Sequence, residues 1–255
     1  MKVRHFQEGR RGWAWWLAVP IVRPILLATT KHRWIDSERI PAEGGAILVV
    51  NHISEVDPLI VAHIVWDHGR IPRYLAKDGL FKNKLLGFFL KAAGQIPVYR
   101  ATRNATGAYD AAVAAVRAGK IVVVYPEGTI TRDPGLWPMV GKSGAARIAL
   151  ATGAPVIPIG QWGAQELLAP YAKKPDLFPR KLITMKVGEP VDLSGLDDSP
   201  ASVTEATHRI MAALTGLVEE VRGETAPAER FNPRTAGVAE FGNPDKGGRR
   251  RGKAS

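Results

Sequence analysis

The 255-residue chain contains no cysteine. That excludes disulfides, thiolate zinc sites and a cysteine nucleophile, and it fits a reducing compartment. Acidic residues are scarce: 24 Asp and Glu face 35 Lys and Arg, for a net charge of +11 and a pI near 10.0. Such a balance favours anionic partners, whether nucleic acid, anionic lipid, a phosphorylated substrate or an acidic carrier. An uninterrupted apolar run of the roughly 20 residues needed to span a bilayer is also missing. The best stretch, "GWAWWLAVPIVRPILLATT", is broken by Pro20, Arg23 and Pro24. A Gly-x-Ser-x-Gly elbow is absent, because "GKSGA" at 141 to 145 ends in Ala145. The same string imitates a nucleotide-binding loop, but Leu136 stands where that motif needs glycine. No His/Asp/Glu group has metal-ligand spacing, and His63, His68 and His208 read as surface or packed side chains. The basic residues lack an interleaved aromatic platform, so nucleic acid is not an expected partner.

The positive charge is concentrated at one end. Lys2, Arg4, Arg10, Arg11, Arg23, Lys31 and Arg33 are opposed only by Glu8, and they flank the broken apolar stretch. A cleaved signal peptide also begins basic and then apolar, but the two prolines and Arg23 spoil such a core. A terminal helix packed on its own domain is a second reading. The pattern fits best a kinked helical pair lying in a membrane interface, with Trp13, Trp15 and Trp16 at headgroup depth and the cations on anionic lipid.

Beyond residue 40, short β-branched runs alternate with helical patterns, which predicts an α/β fold with a mostly parallel central sheet flanked by helices. "AILVV", "RYLA", "QIPVY", "IVVVY", "VIPIG" and "LITMKVG" read as strands. Helices are expected over "EVDPLIVAHIVW", "KLLGFFLKAAG", "NATGAYDAAVAAVRAG" with Asn104 as cap, "SGAARIALATG", and a last one opened by Ser199 and Pro200 and closed by Gly223. Three parts are expected: membrane-docking helices over 1–35, an α/β domain over 36–223, and a disordered basic tail over 224–255.

In parallel sheets, ligands gather outside the carboxyl ends of strands. The residues at those ends share a chemical theme: "NHISEVD" after the first strand, "IPVYR" ending in Arg100, "PEGTITRD" after "IVVVY", and "GKSG" before a helix whose opening N–H groups suit an anion. Ser54 and Asp57 have capping-box spacing, so Asp57 has a purely local use. The same carboxylate can also fix the tautomer of His52 and leave its other ring nitrogen free to remove a proton.

These blocks resemble those of the 1-acylglycerol-3-phosphate (lysophosphatidate) acyltransferase family, within the glycerolipid acyltransferases. "NHISEVD" matches the family's first block in full, "GQIPVYR" is similar to the second, "YPEGT" to the third and "VIPIG" to the fourth, in order over about residues 45 to 160. The resemblance implies an acyltransferase domain in which His52 is the base and Asp57 its partner, Arg100 a phosphate contact, and Glu127 with Gly128 part of the acceptor site. The full set of expected substrate contacts is Asn51, Ser54, Arg100, Arg103, Glu127, Gly128, Thr129, Arg132 and Lys142. One position departs from the family: Ile130 follows the third-block Thr where Arg is usual, and Arg132, Arg103 and Lys142 are the candidate replacements.

An acyl thioester is already activated, so its transfer to an alcohol needs a base and oxyanion stabilisation but no covalent relay. The expected activity is transfer of a fatty acyl group to a lysophosphatidate-like acceptor, giving phosphatidate. Glycerol 3-phosphate or a glycolipid is the alternative acceptor, and a non-catalytic lipid- or nucleic-acid-binding protein the alternative class. No cofactor or metal is expected, acyl-CoA or an acylated acyl carrier protein being the co-substrate. The expected location is the cytoplasmic face of the cell membrane, peripheral and held by an anionic surface.

Overall fold

The computed structural model describes residues 12–98, 105–240 and 242–243. A seven-stranded sheet runs in the order β1-β7-β6-β2-β5-β3-β4. The strands are β1 (Thr30–Ile35), β2 (Ala46–Val50), β3 (Pro72–Lys77), β4 (Ile96–Val98), β5 (Ile121–Val124), β6 (Val156–Trp162) and β7 (Lys181–Val187). All neighbouring pairs are parallel except β6 with β7, so β1 and β7 run against the other five. The helices are α1 (Gly12–Thr29), α2 (Asp57–Asp67), α3 (Lys84–Ala92), α4 (Ala105–Arg117), α5 (Gly144–Thr152), α6 (Ala164–Leu167) and α7 (Pro200–Arg222).

The central strands explain their own composition. Ala46, Leu48 and Val50 face a core built with α2, while Ile47 and Val49 face a second core built with α4, α5 and α7. A strand covered on both faces has no solvent side to mark with polar residues, hence the unbroken apolar runs. The last helix forms as its ends direct: Ser199 accepts from the Ser202 N–H at 3.3 Å, Pro200 follows, and Gly223 closes it at φ 68°.

Three expectations need correction. The amino-terminal apolar segment is a single helix, α1, with Pro20 and Pro24 inside it, and not a pair. Residues 30–35, grouped with the docking segment, form β1 and pair with β7 along their whole length, so the sheet begins at Thr30. The strand was hidden because "TKHRWI" lies at a sheet edge and is buried only in part, leaving a polar pattern. The described part of the expected tail is held on the domain: Val140 N–H donates to the Phe231 carbonyl, Arg230 to Thr215, and Ala226 N–H to Glu219. Backbone-directed polar contacts anchor it, and a composition rich in Gly, Pro and charge conceals them. Residues 244–255, with the Arg cluster, lie outside the described residues, as do residues 1–11.

Candidate active site

β2 ends at Val50 and α2 starts at Asp57, so residues 51–56 turn the chain at the carboxyl end of a central strand. The imidazole of His52 comes back onto the first residue of α2, with Nδ1 2.8 Å from Asp57 Oδ2. That same oxygen accepts the backbone N–H groups of Ile53 at 2.7 Å and Ser54 at 2.9 Å. The capping use and the histidine-orienting use therefore coexist on one atom. Asp57 is fully buried, whereas the His52 side chain keeps 17% of its surface and lines the large cavity. A carboxylate only accepts hydrogen bonds, so the proton between the two groups sits on Nδ1 and the Nε2 lone pair is left available.

The main chain of His52 is held as firmly as its ring. Its N–H donates to Glu127 Oε1 at 3.1 Å and its carbonyl accepts from Thr131 N–H at 2.8 Å. Glu127 Oε2 accepts from Met139 N–H at 3.1 Å, so this carboxylate ties the loop after β2 to both arms of the loop after β5. Burial pushes the Glu127 carboxyl up to about 7, outweighing the backbone hydrogen bonds from Met139 and His52 that act the other way. On the open side, the His52 ring stacks on Tyr125 with centroids 4.2 Å apart, and Tyr74 stacks behind Tyr125 at 6.3 Å. Burial holds both phenols well above their ordinary range, so they stay neutral.

The expected substrate contacts divide into four groups. Gly128, Thr129 and Lys142 line the same cavity as His52. Gly128 adopts φ +73°, and a Cβ there would stand 3.3 Å from Lys142 Cδ and 3.4 Å from its Nζ, so glycine lets the lysine chain lie across the turn. Asn51, Ser54 and Glu127 are buried and spend their polar atoms on the protein, which corrects their assignment as direct contacts. Asn51 exchanges hydrogen bonds with the backbone of Gln161 on β6, and Ser54 Oγ donates to the Leu168 carbonyl at 2.6 Å. Arg132 does not stand in for the missing third-block guanidinium: it is buried, donates to the Tyr171 hydroxyl at 2.5 Å and to the Gly242 carbonyl, and is not among the cavity-lining side chains. Arg100 and Arg103 lie outside the described residues.

The sequence reading missed Tyr125, Gln161 and Tyr171. Tyr125 stands directly at a strand end inside the third block, so the strand-end rule applied to every position would have found it. Tyr171 lies in an irregular segment between β6 and β7 with no motif, and only the fold carries it to Arg132.

Leading away from His52 is a cavity of about 1690 Å³, walled by α1, α2, α3 and β3. Leu17, Val22, Leu59, Trp66, Leu86 and Phe89 are typical of its walls, which are mostly apolar, with His52, Glu55, Lys77, Asn83, Gln95 and Lys142 among the polar side chains and Arg23 and His63 at the α1–α2 side. Drug-sized ligands occupy about 300–1,000 Å³, so this space suits something longer.

A histidine–aspartate pair beside a basic turn opens into a long apolar cavity on an α/β scaffold, an arrangement that suits an acyl-transfer enzyme, and residues 31–162, just over half the chain, match the family model described as Acyltransferase. The chain belongs to the Acyltransferase family. It is 27% identical over 194 residues to a 1-acyl-sn-glycerol-3-phosphate acyltransferase of Bacillus subtilis, covering 73% of this chain and 89% of that one. A 1-acyl-sn-glycerol-3-phosphate acyltransferase of Borreliella burgdorferi is 33% identical over 124 residues, 48% of each chain. The solved 1-acyl-sn-glycerophosphate acyltransferase PlsC of Thermotoga maritima shares the fold, with a TM-score of 0.59, 24% identity, and coverage of 81% of this chain and 82% of its own.

Proposed function

We propose that the protein transfers a fatty acyl group from an acyl thioester to the free hydroxyl of lysophosphatidate, giving phosphatidate. The observation that carries this reading is the His52–Asp57 pair at the mouth of a long apolar cavity, with Lys142 beside it. His52 Nε2 removes the acceptor's hydroxyl proton while the oxygen attacks the thioester carbonyl carbon. The new C–O bond forms as the carbonyl electrons move onto oxygen, and the proton on Nδ1 stays there, donated to the Asp57 carboxylate, which stabilises the imidazolium. When the carbonyl re-forms, the C–S bond breaks and the leaving sulfur takes the proton from Nε2, so the base is regenerated and no covalent enzyme intermediate is needed. No cofactor enters this sequence; coenzyme A or an acyl carrier protein supplies the thioester.

Lys142 joins Arg100, the expected second-block contact, in taking the acceptor's phosphate in this reading, since at the third block Ile130 offers no charge and Arg132 is committed elsewhere. The lysine also lies 3.9 Å from Glu240, so its ammonium already meets a carboxylate oxygen. A charge-assisted hydrogen bond contributes about 1.5–3 kcal/mol, so Lys142→Ala should weaken the apparent affinity for lysophosphatidate by roughly 10- to 100-fold. Assaying the variant on lysophosphatidate, glycerol 3-phosphate and a neutral monoacylglycerol checks this: the phosphorylated acceptors should lose affinity and the neutral one should not. An equal loss on all three would remove Lys142 from the phosphate site, and preference of the parent enzyme for another acceptor would replace lysophosphatidate as the substrate.

α1 anchors the enzyme at the cytoplasmic face of the membrane in the same reading. By length and composition it could cross a bilayer, but at about 1.5 Å per residue its 18 residues fall a little short of a roughly 30 Å hydrocarbon core. Arg23 at its middle pairs with Asp67 of α2 at 3.2 Å, which holds the helix against the domain and favours a position in the interface.

A further inference from the structure

The apolar surface of α1 does not stand alone. Residues Asp78–Phe81 form a 3-10 turn that packs flush against α3, because a Cβ on Gly87 would lie 2.3 Å from the Phe81 carbonyl oxygen. This close approach makes turn and helix one unit. The unit presents apolar side chains to the outside: Leu85 is 81% exposed and Phe88 63%, with Leu80 and Leu86 beside them. Single exposed apolar residues are ordinary, but a contiguous group marks an interaction surface.

That group is joined to α1. Trp13 stacks on Phe88 with centroids 5.4 Å apart and meets Phe89 edge-on at 6.0 Å, and Trp15 Nε1 donates to the Ala93 carbonyl at 3.1 Å. Trp16, Leu17, Ile21 and Ile25 of α1 are more than half exposed on their own account. The edge of the α3 unit is basic: Lys77, Lys82, Lys84 and Lys91 are exposed, and the acidic side chain within the unit, Asp78, lies 3.7 Å from Lys82. Leu85, Phe88, Trp13 and Ile21 also line the cavity, so the outer apolar surface continues into the interior.

We infer that α3 and the turn before it form a second bilayer-inserting element, coplanar in function with α1, whose lysines take anionic lipid headgroups while Leu85 and Phe88 enter the acyl region. Apolar side chains ringed by lysine match an anionic membrane surface in both terms that hold an interfacial helix, buried area and charge. The inference rests on the proposed lipid substrate only for what passes from the bilayer into the cavity; the docking itself stands on the surface.

The absence of cysteine makes the test clean. Full-length protein carrying Leu85→Cys labelled with an environment-sensitive fluorophore should shift to the blue on vesicles of phosphatidylcholine and phosphatidylglycerol, and the same label at Glu205→Cys on α7, across the sheet from α1, should not. In co-sedimentation, Leu85→Ser with Phe88→Ser should lower vesicle partition at least tenfold with an unchanged Tm. Omitting phosphatidylglycerol should lower partition of the parent protein as well. The inference is overturned by a silent label at position 85, by unchanged partition of the double variant, by equal binding to vesicles without anionic lipid, or by loss of a dimer in place of vesicle binding. None of these readouts uses turnover, so they fail or succeed separately from the proposed reaction.

Discussion

His52→Ala is expected to lower kcat for acyl transfer by about 10²–10⁴-fold, the usual contribution of a positioned general base, while leaving the Tm close to that of the parent. The reason for the split lies in the geometry. The ring is partly exposed at the cavity mouth, so its loss removes little packing, and Asp57 keeps both backbone N–H partners. Asp57→Ala should behave differently. It removes the one oxygen on which the imidazole Nδ1–H and the N–H groups of Ile53 and Ser54 converge, so the ring loses its orienting partner and the turn before α2 its acceptor together. Turnover should fall on the same scale, with a lower Tm in addition. Equal Tm values for the two variants would mean that Asp57 does not organise the turn, and retained turnover in either would mean that the pair is not the catalytic base.

Glu127→Ala is expected to destabilise the fold by about 2–6 kcal/mol, because two backbone N–H groups, of His52 and Met139, lose their acceptor at roughly 1–3 kcal/mol each. Against a typical total of about 5–15 kcal/mol this is a severe loss. Chemical denaturation measures it, and a change below about 1 kcal/mol would show that other groups satisfy those donors. The pH dependence supplies a second signature. The Glu127 carboxyl titrates near 7 when folded and near its ordinary 4.5 when unfolded, so between those values the folded chain binds the extra proton. Stability from this group is therefore fully present below about 4.5, declines as pH rises toward 7, and is level above it, a change of roughly 3 kcal/mol. Glu127→Gln, which does not titrate, should abolish that slope. Its kinetic effect separates positioning from substrate contact: a residue that holds the His52 backbone should lower kcat with little change in the acceptor KM, whereas a residue touching the acceptor should raise KM.

How far the sequence exposes this arrangement depends on the range of each interaction. The His52–Asp57 pair was legible because it is local, five residues apart across the start of a helix that its own sequence marks. β2, β5 and most of β6 were legible because burial on both faces removes nearly every polar position from them, Gln161 of β6 being the exception. Glu127 was misread for the opposite reason. A carboxylate just after a strand end resembles a ligand contact, and only the parallel register of β2 with β5, which joins Val49 to Val124, puts it under the main chain of His52. Arg132 was a candidate phosphate contact by proximity in sequence, but Tyr171, 39 residues on, claims its guanidinium. The edge strand β1 escaped because its partner β7 is distant and its own pattern is polar, and residues 224–240 because polar contacts without an apolar period hold them. The membrane-facing role of α3 was likewise hidden, since an amphipathic nine-residue helix reads the same whether its apolar side meets a core or a bilayer.

The most direct test of the central claim is thiol release from an acyl thioester by the purified protein, followed beside phosphatidate formation; the chain itself contributes no thiol background. The account predicts release that depends on lysophosphatidate, one thiol for each phosphatidate, and that disappears in His52→Ala. Release at the same rate without any acceptor, or undiminished phosphatidate formation by folded His52→Ala protein, would contradict it.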